Sequence, residues 1–229
     1  MQLDGLSVAF THYSALIEAI SEIFLDGIYA VDVAPESRVI IDCGANIGLA
    51  SMFLARGFPE AAITAFEPDP VAFKVLERNV ATNFPGRVVC HDVALGERDG
   101  PADFWYPPNH PGSMIGGLNA RDGVTKKRSV EMRRLSSYIG ERVDLLKIDV
   151  EGGEDGILAD LIASGRITDV DAIILEYHHH LAPEMSLARR LAELEALGFD
   201  FQITSPRDRR VVTRDTFQDL LVYAYRAAS

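Results

Sequence analysis

Long apolar runs and cysteine are scarce in this chain of 229 residues. No apolar run approaches the length of a membrane span, and the first residues lack the basic-then-apolar pattern of a secretion signal. The two cysteines, Cys43 and Cys90, have no zinc-type spacing, and both lie in or beside predicted buried strands. These absences predict a soluble, cytoplasmic protein whose two thiols stay reduced.

Positive charge is scarce as well. Acidic residues number 34 against 22 lysines and arginines, and the formal net charge is −12. A protein that binds nucleic acid through its phosphates needs an extended cationic face, which this composition does not supply. The one local basic cluster, at residues 126–134, is typical of a solvated loop and strand edge. We therefore expect neither a nucleic-acid partner nor a membrane partner.

Apolar runs alternate with helix-type patterns along most of the chain. Five runs predict buried parallel strands, and two final runs predict a closing antiparallel hairpin. The length fits one domain over residues 1–229 better than two. The pattern predicts an α/β fold with a doubly wound, mostly parallel, Rossmann-like sheet of seven strands and an antiparallel strand at or near its C-terminal edge. The predicted strands lie near residues 38–42, 61–67, 87–91, 143–150, 170–177, 199–204 and 220–225.

Two segments fall outside this alternation. Residues 1–33 predict an N-terminal helical extension, because apolar residues recur there at helical spacing between positions 14 and 25. Two roles are open for it: packing on a partner, as in a homodimer, or covering the active site. Residues 107–125 are rich in proline, glycine and asparagine without periodicity, so we take them as a candidate substrate lid.

A glycine-containing turn follows the first predicted core strand. The glycines allow close approach of the backbone to a ligand, and the helix start that follows offers free N–H groups to a carboxylate. The turn lacks the G-x-G-x-x-G of a dinucleotide site, and Asp42 stands where a pyrophosphate would pass. The ligand that suits it is a nucleoside with a positively charged tail, S-adenosylmethionine. The predicted contacts are Asp42, Gly44, Ala45, Asn46 and Gly48.

Two further strand ends carry acids that suit a nucleoside. Glu67 lies about twenty residues beyond the turn, where an acid accepts from both ribose hydroxyls, and Pro68 follows it. Asp92 stands where a third acid accepts from the adenine amino group, with Val93 packing on the ring. A simple turn aspartate is the alternative at Asp92. A nicotinamide-dependent oxidoreductase would also use Glu67, but the missing third glycine and Asp42 disfavour it.

Three blocks of the sequence resemble the signature blocks of FkbM-type methyltransferases. They are residues 41–48, the segment Phe66-Glu67-Pro68-Asp69-Pro70, and the segment Leu146-Lys147-Ile148-Asp149-Val150-Glu151-Gly152-Gly153-Glu154. The resemblance covers roughly residues 29–177 and implies a class I, S-adenosylmethionine-dependent methyltransferase fold. It also implies action on a hydroxyl oxygen of a polyketide, a sugar or another small metabolite. The sequence departs from the family at Ser136, where an aspartate is usual, and at Gly153, where histidine is frequent.

Asp149 and Glu151 end the fourth predicted core strand, between the expected positions of the donor methyl group and the acceptor. Methyl transfer from a sulfonium is an in-line displacement, and an alcohol must also lose its proton. We predict that Asp149 orients the acceptor or acts as the base, with Glu151 as the second candidate. The structural alternative is that Asp149 caps the next helix while Glu151 holds Lys147 or a backbone amide.

The fifth strand ends in Glu176 and three consecutive histidines, His178 to His180. His178 shares a face with Glu176 because strand side chains alternate, and a histidine pKa near working pH makes it a candidate base. Asp149, Glu176 and His178 are a conceivable ligand set for magnesium or manganese, but no spacing requires one and no metal ligand is assigned.

The expected function is methyl transfer from S-adenosylmethionine to a hydroxyl of a small-molecule acceptor. Carboxylate or amine methylation stays open as an alternative within the same fold. A nicotinamide-dependent oxidoreductase and a nucleoside-binding module without catalysis are the more distant alternatives.

Overall fold

The computed structural model describes residues 1–31, 37–140, 142–178, 181, 186–205 and 219–226. Its strands are β1 (Gln2–Leu3), β2 (Leu6–Ser7), β3 (Val39–Cys43), β4 (Ala62–Phe66), β5 (Val88–His91), β6 (Ala94–Leu95), β7 (Gly100–Tyr106), β8 (Lys126–Arg133), β9 (Val143–Ile148), β10 (Val170–Tyr177), β11 (Phe199–Thr204) and β12 (Leu220–Arg226). Its α-helices are α1 (Tyr13–Ile20), α2 (Leu49–Gly57), α3 (Pro70–Asn83), α4 (Glu154–Ala163) and α5 (Leu187–Ala196). Within these ranges, no helix combines the length and the apolar character needed to cross a bilayer.

Seven strands form the main sheet, in the order β5-β4-β3-β9-β10-β12-β11. Strands β5, β4, β3, β9 and β10 run parallel to one another. Strand β12 is antiparallel to both of its neighbours, β10 and β11. The predicted doubly wound, seven-stranded sheet is confirmed. The antiparallel strand lies one place in from the edge, because β12 inserts between β10 and β11.

The two central strands explain why the sheet is covered on both faces. In β3, Ile40 and Ile41 are both buried, and they pack into different apolar clusters. In β9, Leu145 and Leu146 divide between the same two clusters. Successive strand side chains point to opposite faces, so an uninterrupted apolar run requires an apolar layer on each side.

A three-stranded sheet in the order β6-β8-β7 lies beside the main one. Its strands β7 and β8 pair antiparallel, with Asp103 opposite Ser129. The hairpin they form carries residues 107–125, the candidate lid, so the lid is anchored at both ends.

The N-terminal segment begins with the antiparallel pair β1 and β2, and helix α1 follows it. After α1 the helix widens into a π-helical turn over Ser21–Leu25. Leu16 and Ile23 are buried in the cluster that covers one face of the main sheet. Asn79 of α3 fixes the approach of the extension, since its side chain exchanges hydrogen bonds with the backbone of Ala9. Residues 32 and 33 of the predicted extension lie outside the described residues.

Candidate active site

The strand order reverses between β3 and β9, and a cavity of about 760 Å³ opens there at the carboxyl ends of the strands. An open α/β sheet binds its ligands at such a switch point. The volume lies within the range of small-molecule and cofactor sites. Its walls come from the turn after β3, the ends of β4, β9 and β10, helix α1 and the candidate lid.

The turn after β3 forms one end of the cavity, lined by Gly44, Ala45 and Asn46. Gly44 has a φ of +80°, and a Cβ atom there would lie 1.7 Å from the backbone oxygen of Asp149. The position therefore requires glycine for its conformation and for the close approach of the next strand end. Gly48 lies outside the lining, and its missing Cβ makes room for Leu76 of α3 instead.

Glu67 is held rigidly beside this turn. Its Oε2 atom accepts a hydrogen bond from the backbone N–H of Asn46 at 2.9 Å, and its Oε1 accepts from that of Asp69 at 2.7 Å. The residue is 5% exposed and lines the cavity together with Pro68. Burial raises the pKa of Glu67 to about 7, although the two backbone donors oppose this. Fixed carboxylate oxygens at this place suit a ligand with paired hydroxyl donors.

The two contacts predicted after β5, Asp92 and Val93, differ in their position relative to the cavity. Val93 lines the cavity, whereas Asp92 is exposed and lies outside the lining. An apolar surface for a ring is thus present at Val93. The predicted adenine contact of Asp92 gains no support from this placement and stays a prediction.

Asp42 is buried beneath the turn rather than exposed to the cavity. Its Oδ2 atom accepts a hydrogen bond from the Ser51 hydroxyl at 2.6 Å, and its Oδ1 lies 3.2 Å from Nζ of Lys147. The lysine in turn donates to the backbone oxygen of Gly44 at 2.8 Å. Asp42 therefore acts on the turn through Lys147, and a direct contact with a ligand ammonium group stays a prediction.

Lys147 lines the cavity but was not among the site residues predicted from the sequence. Burial alone would lower its pKa, but Asp42 and Asp149 outweigh burial and raise it, so the ammonium group stays charged. The signal was present in the sequence, since a lysine inside an apolar core strand is almost never buried without a partner. What the sequence did not indicate was the choice of Asp42 and Asp149 as partners.

Asp149 lines the cavity at the end of β9, next to the turn. Its Oδ2 atom accepts a hydrogen bond from the hydroxyl of Tyr29 at 3.0 Å and lies 3.3 Å from Nζ of Lys147. Burial would raise the pKa of Asp149, but the lysine and His178 outweigh burial and lower it, so the carboxylate is ionised. The alternative role as a helix cap is wrong, because α4 is capped by Gly153 without a side-chain hydrogen bond.

Glu151 adopts a left-handed backbone conformation with a φ of +57°. This conformation is unusual outside glycine and turns the side chain toward the lid. Its Oε2 atom accepts a hydrogen bond from Arg121 of the lid at 2.6 Å. The alternative pairing with Lys147 is wrong, since that lysine contacts Asp149. Burial raises the pKa of Glu151 against the opposing effects of His178 and Arg121.

His178 is buried directly after β10 and lines the cavity. Its Nδ1 atom lies 2.9 Å from Oε1 of Glu154, a buried acid at the start of α4, and its Nε2 lies 3.7 Å from Oε1 of Glu151. Burial would lower the pKa of His178, but the surrounding carboxylates outweigh burial and raise it well above its ordinary value. The ring is thus more basic than the ordinary histidine assumed from the sequence. His179 and His180 lie outside the described residues.

Two overlapping trios of side chains at this end of the cavity bring possible metal ligands close together. One ligand atom from each of Asp149, Glu151 and His178 lies within 4.8 Å of the others, and the same holds for Glu176, His178 and Asp219. The predicted set combined Asp149 with Glu176, whereas among the described residues Asp149 groups with Glu151. Burial and the charge of Asp149 raise the pKa of Glu176 to about 8.

The candidate lid and the N-terminal helix close the cavity from above. Thr11 donates to the backbone oxygen of Gly112 at 3.1 Å, and the N–H of Gly112 donates to Oδ2 of Asp69 at 3.1 Å. The lid is thereby tied both to the extension and to the segment after Glu67. Leu16 of α1 is among the lining residues, so the extension covers this cavity. Its predicted role in a homodimer stays a prediction.

Residues 42–201 match the family described as the Methyltransferase FkbM domain. Methyltransferase 1 of Beauveria bassiana (strain ARSEF 2860) is 32% identical over 179 residues, which cover 68% of this chain and 68% of that protein. The 31-O-demethyl-FK506 methyltransferase FkbM of Streptomyces tacrolimicus is 30% identical over 191 residues, which cover 68% of this chain and 72% of that protein.

Among solved structures, Methyltransferase FkbM from Methylobacillus flagellatus KT superposes with a TM-score of 0.60 over 89% of this chain, at 17% sequence identity. This chain spans 47% of the length of that one. At such identity the likeness shows the fold alone, which is the class I methyltransferase fold. The family match, by contrast, spans both the turn after β3 and the acids after β9. The chain therefore belongs to the FkbM methyltransferase family and is a methyltransferase.

Proposed function

We propose that the protein transfers a methyl group from S-adenosylmethionine to a neutral hydroxyl of a small molecule. The observation that carries the proposal is the division of the cavity. One end has a glycine turn and a rigid Glu67, and the other has the ionised Asp149. The relative from Streptomyces tacrolimicus is named for a 31-O-demethyl substrate, which supports an oxygen acceptor.

The donor is proposed to lie along the turn after β3. The backbone of Ala45 and Asn46 would face its methionyl end, and Glu67 would accept from both ribose hydroxyls. Val93 and Pro68 would contact the adenine ring. In this pose the sulfonium lies in the cavity beside Gly44 and Asp149, which both line it and whose backbones are in close contact.

The charge of the cavity supports a neutral acceptor. Among the described residues that line it, eight are acidic, whereas Arg121 and Lys147 are cationic and His178, with its raised pKa, adds a third positive charge. An anionic carboxylate acceptor would be repelled by this excess, whereas the positively charged donor would be attracted. The acceptor oxygen would form a bond to the methyl carbon while the carbon–sulfur bond breaks, leaving its electron pair on sulfur in S-adenosylhomocysteine. The hydroxyl proton would pass to a carboxylate at the acceptor end.

Asp149 is the proposed residue that orients the acceptor or takes its proton. It is ionised, faces the cavity and is fixed by Tyr29 and Lys147. Glu151 and His178 are proposed to complete the acceptor side, with residues 107–125 as a lid over it within a single methyltransferase domain. His178 is more basic than a general base needs to be, so its proposed contribution is positive charge near the acceptor oxygen.

The donor is tested by calorimetry with S-adenosylhomocysteine and, separately, with NADH. We expect saturable binding of the first and none of the second. Tight NADH binding without binding of S-adenosylhomocysteine would overturn the proposal in favour of an oxidoreductase.

The acceptor class is tested with labelled S-adenosylmethionine and a panel of hydroxyl, carboxylate and amine acceptors. Asp149→Asn should lower the rate with the hydroxyl acceptor by about 100-fold, the scale of general-base catalysis. The matched control is Asp200→Asn, on an exposed position of β11, which should leave the rate unchanged. A carboxylate acceptor needs no base, so an unchanged rate in Asp149→Asn would point to that alternative.

A further inference from the structure

We propose that Asp149, Glu151 and His178 together bind one divalent cation, magnesium or manganese, at the acceptor end of the cavity. The proposal rests on the proposed function in one respect, because it assigns the cation to the acceptor hydroxyl. Its geometric basis is independent: the three side chains offer ligand atoms that lie within 4.8 Å of one another.

In each carboxylate of the trio, one oxygen contacts a residue outside the trio and the other oxygen is available to a ligand. Asp149 Oδ2 is held by Tyr29 and Lys147, and Glu151 Oε2 is held by Arg121 at 2.6 Å. In the described part of the chain, no hydrogen bond engages Asp149 Oδ1 or Glu151 Oε1. Ligands whose second atom is held by an outer partner are the usual arrangement around protein-bound metals.

His178 shows the same division between its two ring nitrogens. Nδ1 lies 2.9 Å from the carboxylate of buried Glu154, which fixes the orientation of the ring. Nε2 faces Glu151 Oε1 at 3.7 Å, a distance too long for a hydrogen bond. His178 is 4% exposed, and its Nε2 makes no hydrogen bond to another described residue. A carboxylate behind one nitrogen and an open second nitrogen is the pattern of a histidine metal ligand.

The surrounding charge also favours a cation. Lys147 is already shared by Asp42 and Asp149, and Arg121 is paired with Glu151, while Glu176 and Asp219 add further acid to the same end. Two carboxylates and one imidazole are hard ligands of the kind magnesium and manganese accept, with water or substrate oxygen in the remaining positions. The cation would take the place of a proton on Nε2.

Such an ion would act on the acceptor oxygen. A hydroxyl bound to a divalent cation has a lowered pKa, so its proton would pass more readily to a carboxylate at the acceptor end and the oxygen would become the nucleophile. The new carbon–oxygen bond then forms as the carbon–sulfur bond of the donor breaks, with no oxidant or further reactant needed. The charge of the cavity would thereby serve to generate the nucleophile as well as to attract the donor.

The test is a manganese titration of the full-length protein without donor or acceptor, followed by the electron paramagnetic resonance signal of free manganese. We expect one saturable site. Glu151→Gln and Asp149→Asn should each weaken binding by about tenfold or more. Glu176→Gln, the matched control, should change it by no more than about twofold, because Glu176 belongs to the other trio. Circular dichroism and thermal unfolding establish that each variant is folded, and the two ligand variants guard against the loss of one to misfolding.

Two results would overturn the site. One is the absence of saturable binding by folded protein up to about 1 mM manganese, the weak end of protein sites for divalent ions. The other is a loss of affinity in Glu176→Gln as large as that in Glu151→Gln, which would move the ion to the second trio.

Activity then separates this site from the proposed function. Methyl transfer to a hydroxyl that continues at full rate in metal-free, chelator-treated protein would overturn the role of the ion and leave the O-methyltransferase intact. Manganese binding that follows the expected variants, without transfer to any hydroxyl, would uphold the site and overturn the proposed acceptor.

Discussion

The two ends of the cavity are built in different ways. At the donor end, the side chain of Glu67 is held by backbone groups 21 and 2 residues away in sequence, and the turn depends on glycine. At the acceptor end, Asp149 is held by a tyrosine 120 residues away and Glu151 by an arginine 30 residues away. The donor end is therefore a local structure with few charges, whereas the acceptor end is an assembly of distant, mostly charged side chains. On the proposed function, recognition of the donor would need only the first, and the choice of acceptor would depend on the second.

The largest effect is expected at Gly44, where the turn at the donor end contacts the backbone of Asp149. Gly44→Ala places a methyl group against the backbone of Asp149 and forces a positive φ on alanine. We expect S-adenosylhomocysteine affinity to fall by about 100-fold or more and the protein to lose more than about 1 kcal/mol of stability. Calorimetry and urea unfolding measure the two effects. Gly57→Ala is the control, since its Cβ would meet no atom within 4 Å, and it should change neither.

The next largest effect should come from Glu67→Gln, which removes a charged acceptor from the donor end alone. We expect a loss in S-adenosylhomocysteine affinity of about 10- to 100-fold, the scale of hydrogen bonds to a charged group. Glu60→Gln, at an exposed acid before β4, should have no effect. An equal affinity in Glu67→Gln and the unaltered protein would contradict the ribose contact.

The same residue predicts a pH dependence. The folded-state pKa of Glu67, about 7, lies above its ordinary value of 4.5, so the free folded protein binds a proton that the unfolded chain has lost between these values. The stability that protonated Glu67 contributes is fully present below pH 4.5 and declines as the pH rises from 4.5 to about 7. Donor affinity should rise over the same window, because ribose hydroxyls bind the ionised oxygens. Thermal unfolding and calorimetry between these pH values should show both trends, and Glu67→Gln should show neither.

A smaller effect is expected at the acceptor end from Tyr29→Phe. The change removes the donor to Asp149 Oδ2 and keeps the ring that lies 5.4 Å from Nζ of Lys147. We expect kcat to fall by about 3- to 10-fold, the scale of one hydrogen bond, with donor affinity unchanged. Tyr13→Phe, at a position 65% exposed, is the control. A loss of donor affinity instead would show that Tyr29 belongs to the donor end.

The smallest effect is expected from Asp92→Asn. The residue is exposed and lies outside the cavity lining, so donor affinity should change by less than about twofold. Calorimetry with S-adenosylhomocysteine measures it against Glu67→Gln. A tenfold loss would restore the adenine contact predicted from the sequence.

The contrast between the two ends also explains what sequence reasoning achieved. The sheet and the turn after β3 were predictable, because uninterrupted apolar runs and a glycine turn are local patterns. The partners Tyr29, Arg121 and Glu154 were not, since no periodicity or spacing relates them to Asp149, Glu151 and His178. The antiparallel strand was expected, but its insertion between β10 and β11 depends on tertiary pairing.

Lys147 touches both ends at once, with its Nζ donating to the turn at Gly44 and pairing with Asp149. A donor that displaces the turn must therefore alter the surroundings of the acceptor carboxylate. Thermodynamic linkage makes this reciprocal: whatever factor the donor applies to acceptor affinity, the acceptor applies to donor affinity. The affinities for the proposed donor and acceptor are thus expected to be coupled through one buried ammonium group.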